Sequence, residues 1–253
     1  MIDESEIFNR TRRLIGQTGM ERLRHSRIIV FGIGGVGSWC AEALCRTGIG
    51  HLTLVDADRV AATNINRQAE ATTATIGVPK VEALAARLQE INPRISLSLR
   101  EERYTSESSS KFHLEEYDFI IDAIDSLSDK AALLVNAADS RHPGVASSMG
   151  AALRIDPTKI HVAEFWKVQG CPLAAALRSR LRRNGVRLRR KIACVYSDEP
   201  PLPNLGEVIT DDGTLSYGKV AANGSLCHIT ATFGMYLAGL ALQHILKNQN
   251  NAE

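Results

Sequence analysis

The sequence predicts an α/β fold in which helices cover both faces of a doubly wound, mainly parallel sheet. Short strand patterns alternate with helical patterns through residues 27–150, and a glycine-rich loop joins the first strand to the helix that follows it. Beyond this region the alternation gives way to a hairpin pattern. We therefore expect a Rossmann-like sheet with an antiparallel C-terminal extension.

The glycine-rich loop lies in the run F-G-I-G-G-V-G-S at residues 31–38. Because a strand pattern precedes it and a helical pattern follows, Gly32 is placed for the tight turn, Gly34 for the approach of a phosphate and Gly37 for close helix–strand packing. The unpaired amide groups at the helix start then face an anion. The predicted phosphate-binding residues are Gly32, Gly34, Gly35 and Gly37.

The other elements of the predicted sheet follow in chain order. Strands show short β-branched or alternating runs, and helices show apolar residues three and four positions apart. Residues 7–24 indicate one or two short helices interrupted by Gly16 and Gly19. The predicted strands are 28–31, 51–55, 95–99, 117–125 and 143–148, and the predicted helices are 36–46, 80–91 and 126–140.

The pattern changes after residue 151. Residues 152–156 and 159–164 alternate like two strands joined by the turn D-P-T, so we expect a hairpin there. The apolar stretch at 229–246 carries polar residues and lacks flanking basic anchors, which favours a buried core helix over a membrane span. The other predicted elements are a helix at 173–184, a strand at 192–196 and an irregular segment at 198–224.

Composition narrows the function classes. With 44% hydrophobic and 23% charged residues, the 253-residue chain resembles an ordinary soluble globular protein. A formal net charge of +2 gives no argument for nucleic acid over the molecule as a whole. The five cysteines form no C-x-x-C pair, so neither a zinc site nor a disulfide framework is predicted. Since the N-terminus has no apolar signal segment, we expect a cytoplasmic protein without a membrane partner.

Charged residues near the carboxyl ends of the predicted strands indicate which nucleotide binds. Asp56 is placed to accept hydrogen bonds from ribose hydroxyls, whereas Asp58 either joins it or only caps the turn. Arg67 and Lys80 are cations suited to phosphate, and Asp125 is a carboxylate at a strand end. A dinucleotide carries only a pyrophosphate, which the loop itself neutralises. Two further cations and a carboxylate therefore favour ATP with Mg²⁺ over NAD.

Seven short motifs extend this interpretation. They are F-N-R (8–10), F-G-I-G-G-V-G-S (31–38), L-T-L-V-D-A-D (52–58), T-N-I-N-R-Q (63–68), G-V-P-K-V-E (77–82), D-A-I-D-S (122–126) and A-T-F-G-M-Y-L-A-G (231–239). Their joint spacing closely resembles the ubiquitin-activating-enzyme superfamily of adenylating enzymes, of ThiF, MoeB and HesA type. The resemblance covers most of the chain.

The resemblance implies a reaction and a role for each site residue. A carboxylate oxygen would attack the α-phosphorus of ATP, giving an acyl-adenylate and pyrophosphate. Arg10 would reach the γ-phosphate from the second subunit of a homodimer, although Arg12 and Arg13 are near enough to replace it. The other implied roles are ribose binding by Asp56, phosphate binding by Asn64, Arg67 and Lys80, and magnesium binding by Asp125.

The cysteines and two further motifs bear on the identity of the carboxylate. Activators of small sulfur-carrier proteins usually carry two zinc-binding C-x-x-C pairs, which this chain lacks, and there is no room for the catalytic-cysteine domain of ubiquitin-type activators. P-L-A-A-A-L-R-S-R-L (172–181) and C-V-Y-S-D-E (194–199) resemble the tRNA threonylcarbamoyladenosine dehydratase branch. That resemblance implies adenylation of the threonyl carboxylate of a modified adenosine in tRNA, followed by cyclisation with loss of AMP.

This interpretation divides the chain into functional parts. Residues 1–253 form a single adenylating domain with a helical arm at 1–26, a nucleotide-binding half at 27–150 and a substrate and dimer half at 151–253. The last part includes the loop at 198–224.

A basic segment at 178–191 supports an RNA substrate. It holds eight cations and no acid, which is typical of a footprint on backbone phosphates, although a solvated helix and loop would have the same composition. Trp166 and Tyr196 are candidates for stacking on an unpaired base, or else pack in the core. The predicted RNA-binding residues are Arg178, Arg180, Arg182, Arg183, Arg187, Arg189, Arg190 and Lys191.

Three other functions stay open. An activator of a ubiquitin-like sulfur carrier would need a groove for a Gly-Gly tail, and a sulfur-transfer partner would fit the same superfamily. A nicotinamide-dependent oxidoreductase would bind NAD and leave Arg67, Lys80 and Asp125 without a role. A non-catalytic tRNA-binding or redox scaffold would keep the fold without ATP turnover. Cys171 and Cys194 are expected to be buried apolar residues rather than thioester-forming nucleophiles.

Overall fold

The computed structural model describes residues 4–139, 143–205 and 223–247, and within them seven strands form one sheet. Its strand order is β3-β2-β1-β4-β5-β7-β6. All neighbouring strands are parallel except β6 and β7, which confirms the predicted fold class. The strands are β1 Arg27–Phe31, β2 His51–Val55, β3 Ser96–Arg100, β4 Phe119–Asp122, β5 Gly144–Ser148, β6 Ile160–Glu164 and β7 Ala193–Ser197.

Seven α-helices are found in the described residues, and apolar clusters lie on the two faces of the sheet. The helices are α1 Glu4–Ile7, α2 Asn9–His25, α3 Gly37–Thr47, α4 Lys80–Ile91, α5 Leu127–Asp139, α6 Pro172–Arg183 and α7 Cys227–Lys247. By length and composition α7 is the one described helix that could cross a membrane. Ile229, Phe233 and Leu237 are nevertheless fully buried in the cluster that includes α3, as predicted for a core helix.

The N-terminal arm breaks where the sequence places a glycine. Gly16 has a φ of 72° and a ψ of 179° inside α2, so two helical segments meet there, whereas Gly19 continues the second segment. Glycine adopts this conformation without the steric cost that a Cβ would bring. The second segment is anchored by buried Met20 and Leu23, and the Leu23 carbonyl accepts a hydrogen bond from the Gly50 amide.

The predicted hairpin at 152–156 and 159–164 is wrong. The second segment is β6, but its antiparallel partner is β7, and residues 152–156 form no strand. Leu153 has a positive φ of 59°, and its amide donates to the carbonyl of Gly224. The Ile155 amide donates to the Glu199 carboxylate instead. Contacts with distant loops thus replace the ladder that the alternation predicted. Residues 206–222 of the predicted loop at 198–224 lie outside the described residues.

Candidate nucleotide site

The glycine loop connects β1 to α3 at the carboxyl edge of the sheet. Gly32 has a φ of 87°, and a Cβ there would lie 2.7 Å from the carbonyl oxygen of Ala123. A Cβ at Gly37 would lie 1.9 Å from the carbonyl oxygen of Gly32. Neither position admits a side chain, as the motif predicted. Gly34 faces open space, since a Cβ there would meet nothing closer than the Gln68 Nε2 atom at 3.8 Å.

Asp56 follows β2 and contacts this loop directly. Its Oδ2 accepts a hydrogen bond from the Ile33 amide at 2.6 Å, and its Oδ1 accepts one from the Asp58 amide at 2.8 Å. Burial raises the pKa of Asp56 above its usual value, although Lys80 opposes that shift. The carboxylate therefore holds the second-strand turn against the glycine loop, at the position where the sequence predicts ribose binding.

Lys80 is the first residue of α4 and is buried despite its charge. Its Nζ lies 2.8 Å from Asp58 Oδ2 and 4.0 Å from Asp56 Oδ1. Burial by itself lowers the pKa of Lys80, but Asp56 and Asp58 outweigh that effect and the pKa is raised. A cation at a helix N-terminus opposes the macrodipole, so these two carboxylates offset a local cost. Asp58 thus does more than cap a turn.

Asn64 and Arg67 lie on a short turn between β2 and α4. Asn64 is buried, and its Oδ1 accepts a hydrogen bond from the Ala61 amide at 2.9 Å. The carbonyl of Arg67 accepts a hydrogen bond from Trp39 Nε1 at 2.9 Å, which ties the turn to α3. A Cβ at Gly35 would lie 3.2 Å from Arg67 Cγ, so this arginine borders the glycine loop.

Asp125 and Arg67 influence one another electrostatically. Burial lowers the pKa of Arg67, and the negative charges of Asp125 and Glu70 oppose that shift. Asp125 lies in the loop between β4 and α5, because the strand predicted for 117–125 ends at Asp122. The structure therefore brings Asp56, Arg67, Lys80 and Asp125 to the surroundings of the glycine loop.

A buried ion pair lies under the Asp125 loop, and the sequence pattern did not predict it. Asp122 Oδ2 lies 2.7 Å from Lys130 Nζ, and both side chains are 0% exposed. The same carboxylate accepts a hydrogen bond from Ser147 Oγ at 2.6 Å. Asp122 Oδ1 accepts the Ile124 amide at 3.1 Å, and Lys130 Nζ donates to the Ile124 carbonyl at 2.9 Å. Asp122 and Lys130 thus bind the amide and the carbonyl of Ile124, the residue before Asp125.

The burial of Glu70 is a second feature that the sequence pattern did not predict. It is 2% exposed, and neither carboxylate oxygen has a hydrogen-bond partner among the described residues. Burial raises the pKa of Glu70 to about 7, against the opposing effect of Lys80. It follows the T-N-I-N-R-Q motif by two positions, but nothing in the local pattern indicates that this glutamate is buried.

Glu70→Gln is expected to stabilise the protein at pH 8. The folded-state pKa of Glu70, about 7, exceeds the ordinary value of 4.5, so the folded state binds the proton more tightly and stability falls as pH rises between these values. Removing the charge should raise the free energy of unfolding by up to about 3 kcal/mol at pH 8, and by much less at pH 5. Urea unfolding at both pH values measures this, with Glu90→Gln on an exposed position of α4 as the control. Equal gains at both pH values would contradict the assigned titration.

The carboxylates here suit a magnesium ion that arrives with a nucleotide. Among the described residues no group of three or more His, Cys, Asp or Glu side chains is placed to hold a metal. Mg²⁺ in nucleotide sites usually takes one or two carboxylates together with phosphate oxygens and water. Asp125 beside the glycine loop fits that requirement.

Arg10 lies on the exposed surface of α2. Arg12 and Arg13 are exposed on the same helix, and Arg13 Nε donates to Asn9 Oδ1 at 2.9 Å. Exposure leaves Arg10 accessible to another chain, and its contact with a nucleotide stays a prediction.

The residues of the basic segment 178–191 differ in their surroundings. The Arg178 guanidinium donates to the carbonyls of Phe165 and Val168, at 3.1 and 2.8 Å, so it braces the protein itself. Arg189 pairs with Asp139 at 3.2 Å, and Arg190 donates to the Pro143 carbonyl. The remaining predicted cations lie wholly or partly at the surface: Arg180, Arg182, Arg183, Arg187 and Lys191.

Cys171 and Cys194, the two cysteines considered as nucleophiles, are buried, as expected. Cys171 is 4% exposed and Cys194 is fully buried. Burial raises the pKa of the Cys194 thiol far above its usual value. Because a thioester-forming cysteine must be accessible and readily ionised, neither residue has the surroundings of a nucleophile.

Known proteins resemble this chain in sequence and in fold. The profile of the ThiF family matches residues 8–252. The chain is 34% identical over 245 residues to a tRNA threonylcarbamoyladenosine dehydratase of Bacillus subtilis, covering 95% of each, and 38% identical over 256 residues to that of Escherichia coli, covering 95% of this chain and 92% of that one. The crystal structure of the E. coli enzyme in complex with ATP superposes with a TM-score of 0.87 at 35% identity, over 100% of both chains. The chain therefore belongs to the ThiF family.

Proposed function

We propose that this protein is an ATP-dependent tRNA threonylcarbamoyladenosine dehydratase that works by adenylating a carboxylate. The observation that carries the proposal is the convergence of Arg67, Lys80 and Asp125 on the glycine loop. A nicotinamide-dependent oxidoreductase would leave these three residues without a role. The dehydratases of B. subtilis and E. coli, which match almost the whole chain, support the choice of substrate.

The chain's own residues contribute positioning and charge. Amide groups of the glycine loop and Asn64 would hold the phosphates, and Asp56 would hold the ribose. A carboxylate oxygen of the substrate attacks the α-phosphorus while the bond to pyrophosphate breaks. Arg67 and Lys80 stabilise the negative charge that accumulates on the leaving pyrophosphate. Cyclisation of the side chain then expels AMP, so that the modified nucleoside loses one water overall.

Magnesium binding by Asp125 belongs to this proposal. When bound, the ion would neutralise part of the negative charge on the phosphates. Arg67 and Asp125 attract one another electrostatically, so Arg67 would help to hold that carboxylate beside the glycine loop. The loop clamped by Asp122 and Lys130 would set the position of Asp125.

Several broader assignments accompany the enzyme. Residues 1–253 would form one adenylating domain, and two copies would pair so that Arg10 of each reaches the other's ATP. The exposed cations of the basic segment would contact tRNA phosphates. A cytoplasmic location fits the free cysteines, since reducing compartments disfavour disulfides. A sulfur-transfer partner stays a prediction from the family resemblance.

One assay tests the function. The protein is incubated with ATP, Mg²⁺ and tRNA that carries linear threonylcarbamoyladenosine, and both AMP release and the mass of the nucleoside are followed. We expect AMP that depends on the modified tRNA and a nucleoside lighter by one water. The control is the same tRNA without the modification, which offers no carboxylate. AMP release at equal rates with both tRNAs, or none with either, would overturn the proposal.

A further inference from the structure

A surface pocket of about 590 Å³ lies beside the C-terminal end of α6. A volume of this size is within the range of sites that hold small ligands. Trp166 is 37% exposed, a high value for so large an aromatic side chain. The pocket is lined by Trp166, Arg182, Gly185, Val186, Arg187 and Leu188.

The aromatic ring in this pocket is held in place from several sides. The Trp166 amide donates to Glu164 Oε2 at 2.9 Å, which caps the short turn that bears the ring. The buried Phe165 ring contacts Trp166 edge-on, with centroids 5.2 Å apart. Arg178 donates to carbonyls on both sides of Trp166, at Phe165 and Val168. One arginine of the basic segment, Arg178, therefore orients this turn.

A second arginine lies against the ring itself. The Arg182 guanidinium carbon is 5.4 Å from the centroid of Trp166, which is a cation–π distance. Arg187 lines the same pocket, so two cations border the exposed aromatic surface. Unpaired bases in RNA commonly stack on aromatic rings and on guanidinium planes, while neighbouring cations bind the phosphates. An acidic peptide would use the cations but would leave the ring without a partner.

We propose that this pocket receives an unpaired base of the tRNA substrate, stacked on Trp166 and Arg182, with its phosphate beside Arg187. The proposal rests on the proposed function for the identity of the RNA, and it adds a stacking site to an otherwise electrostatic surface. It also separates the basic segment by role: Arg178 positions the pocket, whereas Arg182 and Arg187 line it.

Affinity for tRNA and its salt dependence test the pocket. Trp166→Ala should weaken tRNA binding about ten-fold or more, which is the usual cost of losing one stacked base. The slope of log Kd against log salt should not change, because stacking releases no counterions. Arg182→Gln should weaken tRNA binding and also reduce the magnitude of that slope by about 1, because one cation near the phosphates is lost. The matched control Arg183→Gln removes a neighbouring charge that does not line the pocket, and should cost less than Arg182→Gln.

Two further measurements exclude a general loss of structure. Trp166→Phe should recover most of the affinity, and the affinity of Trp166→Ala for heparin, a polyanion without bases, should equal that of the wild type. In the AMP assay Trp166→Ala should raise KM for tRNA about ten-fold while kcat and KM for ATP stay unchanged. Equal tRNA affinity in Trp166→Ala and wild type, or an equal loss toward heparin, would overturn the pocket. A wild-type protein that releases no tRNA-dependent AMP would overturn the function, while tRNA binding would still test the pocket.

Discussion

Asp125→Ala is expected to lower tRNA-dependent AMP release by a factor of about one hundred or more, as for other groups that stabilise charge in a transition state. The carboxylate is the proposed magnesium ligand beside the glycine loop, and Arg67 lies in its field. Without this carboxylate the proposed magnesium ion would be held less firmly, and the negative charge on the departing pyrophosphate would be less well neutralised. The change should appear mainly in kcat, measured as AMP formed at saturating ATP and tRNA.

The control for Asp125→Ala is Asp198→Ala. Asp198 is an aspartate with a half-exposed side chain that contacts His161 on the edge strand β6, which three strands separate from β1 and its glycine loop. It should keep wild-type activity. Undiminished activity in Asp125→Ala would remove the proposed mechanism, because no other residue is assigned to the metal. Thermal unfolding of both variants shows whether an activity loss reflects chemistry or folding.

Lys130→Met is expected to reduce the free energy of unfolding by about 3–5 kcal/mol, the usual cost of leaving one partner of a buried ion pair uncompensated. Methionine keeps the length of the side chain but removes the charge. Asp122 would then stay fully buried, and its remaining donors in the described part of the chain would be Ser147 and the Ile124 amide. Urea unfolding followed by circular dichroism measures the loss. The Ile124 carbonyl would also lose its donor, so AMP release should fall as the Asp125 loop loosens.

Two variants sharpen this second prediction. Lys111→Met alters an exposed lysine and should change stability little. Adding Asp122→Asn to Lys130→Met removes both charges. This double change should restore part of the lost stability, because an uncharged side chain has a smaller desolvation penalty on burial than an unpaired carboxylate. A loss below about 1 kcal/mol for Lys130→Met would show that the pair is not an energetic determinant of the fold.

Most strands and helices were predictable because their signals are local. The limits of β2 and of α4 agree with the predicted 51–55 and 80–91, since alternation and helical spacing are carried by neighbouring residues. The predicted strand at 117–125 is too long at both ends, since β4 is Phe119–Asp122, and a specific contact accounts for its carboxyl end. Ala123 and Ile124 continue the apolar run, but the Asp122 side chain accepts the Ile124 amide and ends the ladder.

The errors arise where distant residues compete for backbone groups. Residues 152–156 alternate like a strand, yet the Ile155 amide is bonded to Glu199 and the Leu153 carbonyl accepts the Leu202 amide. Glu199 and Leu202 are too far along the chain for a local pattern to indicate them. The same limit explains Lys130, whose position in α5 resembles a surface lysine until Asp122 is placed beside it.

The sequence by itself determined the glycine loop, Asp56 after β2 and Lys80 at the start of α4, because each of these roles depends on residues a few positions away. Only the tertiary structure decided that Lys80 is held by two carboxylates, that Glu70 is buried with no hydrogen-bond partner among the residues described, and that Trp166 forms a pocket with Arg182. Burial of a charge, or exposure of an aromatic ring, depends on which elements pack against it. Those partners come from distant parts of the chain, and no local periodicity specifies them.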